Sequence, residues 1–129
     1  MEYLADTVTI IRHFSGAGRI GSLAREILSR VDEGEHRLHI SIISMVEILY
    51  LSEKRRIKIN LKEALDVVQG SSNYTLVDLN SRILQTAEQI NFPEIFDRLI
   101  LATAQYLKVP LITSDRKIRA GNLVESIWT

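Results

Sequence analysis

Short apolar segments, each closed by a polar residue and followed by a stretch with helical spacing, constrain this chain more than any other feature of its sequence. Residues 2–5 are short and apolar enough for a strand, and Asp6-Thr7 supplies a polar stop that caps a helix through Phe14. Residues 15–18, Ser-Gly-Ala-Gly, form a loop. Over residues 19–33, Ile20, Leu23, Ala24, Ile27, Leu28 and Val31 recur at steps of three and four, which predicts an amphipathic helix that Gly34 ends. Residues 38–43 are rich in Ile and predict a buried strand, with a helix starting at Ser44-Met45-Val46-Glu47. Asn60-Leu61-Lys62-Glu63 is a second capped start, closed by Gly70-Ser71-Ser72-Asn73. A third strand at 74–77 precedes a helix at 81–90, and Pro93 suits the first position of a long helix reaching 107 or 108. In that helix Ile95, Leu99, Ala102 and Tyr106, flanked by Phe96, Ile100, Thr103 and Leu107, predict burial on most of the circumference. Strands at 110–113 and 123–128 complete the series.

Strands that alternate with helices predict an α/β fold with a parallel sheet and helices on both faces. No internal repeat, low-complexity tract or linker interrupts the 129 residues, so a single domain over 1–129 is expected. The chain has no cysteine, which excludes a disulfide scaffold and thiolate zinc or iron–sulfur sites. Its apolar runs fall far below the roughly 20 residues of a membrane span, and no secretory signal pattern opens it. A cytoplasmic protein with no membrane partner is the expectation. The 16 basic and 16 acidic residues give a formal net charge of zero, which offers no global reason to expect nucleic acid.

Ligands of open parallel sheets bind beyond the carboxyl ends of the strands. Acids gather there. Asp6 directly follows the first strand and Asp115 the fourth; Glu47 stands in the first turn after the second strand, and Glu94 and Asp97 in the first turn or so of the Pro93 helix. Glu94 and Asp97, three apart, share a face. Taken singly, each has a plainer role. Asp6 could simply cap a helix, Ser44 and Glu47 fit a capping box, Glu94 suits a helix dipole, and Asp115 in Thr-Ser-Asp-Arg suits a turn. Asp97 is harder to place that way, because Ile95, Phe96, Leu99, Ile100 and Leu101 surround it. Carboxylates gathered at one site repel unless a cation neutralises them, and oxygen-only ligation points to Mg²⁺ or Mn²⁺. Such a set suits metal-assisted phosphodiester hydrolysis.

Three segments carry a family likeness: Leu4-Ala5-Asp6-Thr7, residues 41–47 ending in Glu47, and residues 93–104 followed by Pro110-Leu111-Ile112-Thr113-Ser114-Asp115. With these, the chain from Tyr3 to Trp128 resembles the PIN-domain family of metal-dependent ribonucleases, which includes VapC-type toxins. The resemblance implies a three-layer α/β/α sandwich with a small, mainly parallel central sheet, and usually a homodimer. It places Asp6, Glu47, Asp97 and Asp115 on the family's acidic metal-binding positions, and Glu94 on an acid that only some members carry. Thr7 and Thr113 fall on small hydroxyl positions that would orient carboxylate or water. The implied activity is endonucleolytic cleavage of single-stranded or structured RNA with Mg²⁺ or Mn²⁺, as the toxin of a type II toxin–antitoxin pair with a cognate antitoxin. Arg98, Arg116, Lys117 and Arg119 are candidates to hold RNA. The alternatives are a housekeeping RNA-processing nuclease and a PIN-like module that binds RNA or protein without cutting. Ala5 and Ile118 depart from the commoner residues of the family, and neither removes a ligand.

Two signals compete. Gly16-Ala17-Gly18-Arg19-Ile20-Gly21 spells a dinucleotide fingerprint, but a helix rather than a strand is expected before it, so a flexible loop is the better reading. Lys54-Arg55-Arg56-Ile57-Lys58 is the one dense basic run; a solvated helix end explains it, and a phosphate-contacting patch is the functional alternative. His13, His36 and His39 are scattered and receive no role, and Tyr74, Tyr106 and Trp128 suit core or interface better than base stacking. Committing four of the 16 acids to metal leaves 12 against 16 bases, so the neutral total conceals an acidic centre in a mildly basic shell.

Overall fold

The computed structural model describes residues 1–129. In chain order the elements are β1 (Glu2–Ala5), α1 (Thr7–Ser15), α2 (Ser22–Asp32), β2 (Arg37–Ser41), α3 (Ile42–Glu53), α4 (Leu61–Gln69), β3 (Tyr74–Val77), α5 (Ser81–Gln89), α6 (Ile95–Leu107), β4 (Leu111–Ile112), α7 (Arg116–Gly121) and β5 (Ser126–Ile127). All four strand pairings are parallel, in the order β3-β2-β1-β4-β5. From β1 the chain builds outward to β3, then returns to lay β4 against the other side of β1. Strand order therefore reverses between β1 and β4, which places a crevice at their carboxyl ends.

Both faces of the sheet are covered. Along β1, Tyr3 and Ala5 join one apolar cluster and Leu4 the other; on β4, Ile112 and Leu111 divide in the same way. Side chains that alternate between two cores are the mark of a strand buried on both faces. One core takes residues from α1, α2 and α4, the other from α5, α6 and α7. Helix α3 serves both, giving Met45 and Ile48 to the first and Ile43 to the second. The expected three-layer α/β/α arrangement is thus the observed one.

Several local expectations shift. Helix α3 starts at Ile42, because Ser41 is its cap and its hydroxyl accepts from Ile43 N at 3.0 Å. The anticipated Ser44–Glu47 capping box does not form, and the second strand stops at Ser41. Pro93 lies outside α6, since Glu94 is the cap and accepts from Phe96 N and Asp97 N. Burial on α6 is concentrated in Leu99–Ala104, while Ile95, Phe96 and Tyr106 are exposed. Helix α7, only six residues long, follows Asp115, and β5 is confined to two residues. The Asn60–Glu63 capping box is present as expected.

The glycine pattern has a structural explanation. It follows α1, not a strand. Gly16 closes that helix in the left-handed region at φ 68°. At Gly21 a Cβ would come within 2.3 Å of the Trp128 carbonyl oxygen, which accepts from Ala24 N and ties the C-terminal strand to α2. No dinucleotide role is needed to account for these residues.

Candidate active site

The site is assembled from the ends of β1 and β4, the start of α6 and the second turn of α3, where Glu47, expected in the first turn, falls because the helix already begins at Ile42. Asp6 leaves β1 and caps α1, accepting from Thr9 N at 3.0 Å through Oδ1. Its other oxygen accepts from Thr113 Oγ1 at 2.5 Å, across the point where strand order reverses. Thr113 is fully buried just beyond β4, and its hydroxyl oxygen in turn accepts from Asp115 N at 3.0 Å. Asp115 caps α7 through Ile118 N at 3.0 Å. One threonine thus fixes two acids relative to each other.

A second threonine serves Glu47. Thr7 Oγ1 lies 2.5 Å from Glu47 Oε1 and 3.0 Å from Ser44 Oγ. A hydroxyl has a single hydrogen, so Thr7 donates to the carboxylate and the Ser44 hydroxyl supplies the hydrogen of the other contact. Ser44 is fully buried, and this contact is its role in place of the expected cap. Sequence reasoning missed it, because Ser three residues before Glu matches the capping pattern that the structure places on Ser41 instead.

Glu94 caps α6, and its Oε2 accepts from the amide of Asp97 at 2.8 Å, so the two acids share the start of one helix. Withdrawal from water, then repulsion from Glu94, Asp115, Glu47 and Asp6, pushes the Asp97 carboxyl up to about 6. Glu47 is raised first by burial, opposed by the Thr7 hydrogen bond, with Glu94 and Asp6 adding repulsion. Burial also raises Asp6, with the Thr113 and Thr9 hydrogen bonds opposing and Asp115 adding to it. Asp97 thus feels all four of the other acids, Glu47 feels Glu94 and Asp6, and Asp6 feels Asp115. None belongs to an ion pair, since the five ion pairs of the molecule lie elsewhere. As they stand, no three of them converge in ion-ligating geometry.

A cavity of about 300 Å³ opens beside Glu94, Asp97 and Asp115, and Arg116 and Lys117 line it as well. Arg98 is adjacent in sequence to Asp97, and its Nε is buried without a partner. Arg119 stands in the last turn of α7, exposed. The larger hollows of the surface contain none of the five acids.

The chain belongs to the PIN-domain family, whose model matches residues 3–122. Solved structures similar to it include VapBC2 from Rickettsia felis bound to a DNA fragment from its promoter, at 17% identity and TM-score 0.75 with 100% of each chain covered. A toxin–antitoxin complex from Klebsiella pneumoniae is 25% identical at TM-score 0.62, over 92% of this chain and 91% of that one. VapC20 from Mycobacterium tuberculosis, a toxin that cleaves the sarcin–ricin loop, is 12% identical at TM-score 0.71, over 98% and 99%. No curated protein matches the sequence. No helix is long and apolar enough to cross a membrane.

Proposed function

We propose that the chain is a divalent-metal-dependent endoribonuclease of the toxin type, with Asp6, Glu47, Asp97 and Asp115 as metal ligands and Glu94 as a further one. The observation that carries this reading is a set of five acids linked by repulsion, none ion-paired, at the reversal point of a parallel sheet. An arrangement that costs stability, is offset only in part by the threonine hydrogen bonds and has no cationic side chain paired to it fits a cation site. The donors are all oxygen, which fits Mg²⁺ or Mn²⁺. When bound, such an ion supplies charge neutralisation and an activated water for phosphodiester hydrolysis.

The protein's own part is positioning. Thr113 holds Asp6 and Asp115 in register, and Thr7 with Ser44 holds Glu47. Arg116 and Lys117 line the cavity shared with Glu94, Asp97 and Asp115 and would take the phosphates flanking the scissile bond, and Arg98, next to Asp97 in the chain, and Arg119, exposed on α7, are further candidates. The test is cleavage of single-stranded RNA with Mn²⁺ against the same reaction in EDTA. Cleavage only with the ion is the expected result; equal cleavage in both, or none in either, would rule the reading out.

The toxin assignment and the antitoxin partner draw support from neighbours described as toxins or toxin–antitoxin complexes, which this chain matches over nearly its whole length. A homodimer is supported by exposed apolar side chains: Val46, Leu49 and Tyr50 on α3, Leu84 on α5, Ile95 and Phe96 on α6. Sedimentation of the isolated chain at twice its 14.7 kDa mass is the expected result, and a monomer at micromolar concentration would contradict it.

A further inference from the structure

A second feature lies at the far ends of α1 and α3. Helix α1 starts beside Asp6 and α3 carries Glu47; the distal part of α1 and the turn leading from α3 to α4 enclose a groove of about 770 Å³. Ile11, Phe14 and Ile57, all half-buried against the first core, form its apolar floor. Arg55, Arg56 and Lys58, all exposed, form its rim. The one acid on the rim, Glu63, is turned toward the start of α4, where its Oε1 accepts from Asn60 N at 3.2 Å. None of the three cations takes part in an ion pair.

Arg55 stands in the left-handed region at φ 56°, where glycine would be easiest to accommodate. It directly follows the cap of α3, and the Arg56 amide closes the turn on the Leu51 carbonyl at 3.0 Å. On the opposite wall, Gly18 packs against Arg12, whose Nη1 donates to the Arg19 carbonyl at 2.8 Å and ties down the loop.

We infer that this groove is a second contact for the RNA strand: an apolar slot for one unstacked base, with a cationic rim for the phosphates on either side of it. Bases free to leave the stack are what single-stranded RNA offers, and duplexes do not. From Thr7 to Phe14 the axis of α1 advances roughly 10 Å at 1.5 Å per residue. That is about three nucleotides of stacked strand at roughly 3.4 Å each, so a chain cut at the acids could reach the groove without looping. The inference rests on the nuclease reading and adds to it where the flanking sequence is held.

The experiment compares wild type with the triple variant Arg55→Gly, Arg56→Gln, Lys58→Gln, in Mn²⁺, on two RNAs sharing one central sequence. One has two nucleotides, whose single step of roughly 3.4 Å falls short of the groove, and the other has twelve. On the long RNA the variant is expected to show KM raised roughly tenfold, kcat within about twofold, and a log KM–log salt slope reduced by about 2, at roughly 0.7 per lost phosphate contact. On the short RNA its kinetics should match wild type. The thermal midpoint should stay level or rise, because glycine relieves the backbone at position 55. Unchanged KM on the long RNA would overturn the inference and leave the groove to a protein partner. An equal loss on both RNAs would overturn it too, by placing the cations at the cleavage point. A wild type that cuts neither RNA would defeat the nuclease reading itself, and is told apart because it involves no variant.

Discussion

Asp97 shows most clearly what the site costs and why. It is partly withdrawn from water and faces four other acids, so its ionised form is disfavoured and its carboxyl titrates near 6 instead of near 4. Between those pH values the folded chain holds more protons than the unfolded one. Stability therefore falls as pH rises from about 4 to about 6 and stays lowered above that. In the absence of divalent ions, Asp97→Asn should remove the share of that fall that Asp97 contributes, leaving the smaller part due to Asp6 and Glu47. Calorimetry should find its midpoint equal to wild type near pH 4 and a few degrees higher at pH 7, on the order of 1 kcal/mol after discounting for the partial exposure of the group. A lower midpoint at pH 7 would mean that Asp97 is stabilising where it stands. At this scale Asp6, Glu94, Asp97 and Asp115 were legible because each sits just after an apolar strand or at a helix start, while Glu47 stands in the second turn of α3. Ser44 was not, because its partner, Thr7, lies 37 residues away in the chain.

At the scale of elements, helix caps do two kinds of work. Asn80 caps α5 by accepting from Ile83 N at 2.9 Å, far in sequence from any of the acids. Asp6, Glu94 and Asp115 are also caps, yet each keeps an oxygen or an orientation for the site. Exchange at the two kinds of cap should separate the functions. Asn80→Ala should lower stability by about 1 kcal/mol and leave RNA cleavage at the wild-type rate. Asp115→Asn should keep its cap and its stability, since Asn caps as well as Asp, and should lose cleavage by at least roughly a hundredfold. Denaturant unfolding and RNA cleavage measured on both variants check this, and Asp115→Asn retaining full activity would remove Asp115 from the chemistry. The plain cap reading of Asp6 was correct as local structure, and Asp115, expected in a turn, caps α7. Helix α7 escaped the sequence reading because six residues are too few to establish a 3.6-residue period. The start of α3 was misplaced because Ile42 and Ile43 suit a buried strand as well as a buried helix.

At the scale of the whole molecule, alternation of apolar segments with helices was enough to foresee a parallel sheet covered on both sides. The order β3-β2-β1-β4-β5 was not foreseeable from the same pattern. Five short apolar segments are nearly interchangeable by composition, and their pairing is decided by packing between residues far apart in the chain. That order is what turns scattered acids into a site, by setting β4 beside β1 and letting Thr113 reach Asp6 over 107 positions of sequence. The neutral net charge combines a negative crevice with a surface that carries more cations than anions once the crevice acids are set aside. The central claim is that this crevice binds a divalent ion. Calorimetric titration of Mn²⁺ into wild type and Asp97→Asn tests it most directly. The account predicts saturable binding to wild type, with a stabilisation of about 2.7 kcal/mol at a hundredfold excess over Kd, and affinity at least tenfold weaker in the variant. No binding to wild type, or equal binding to both, would contradict it.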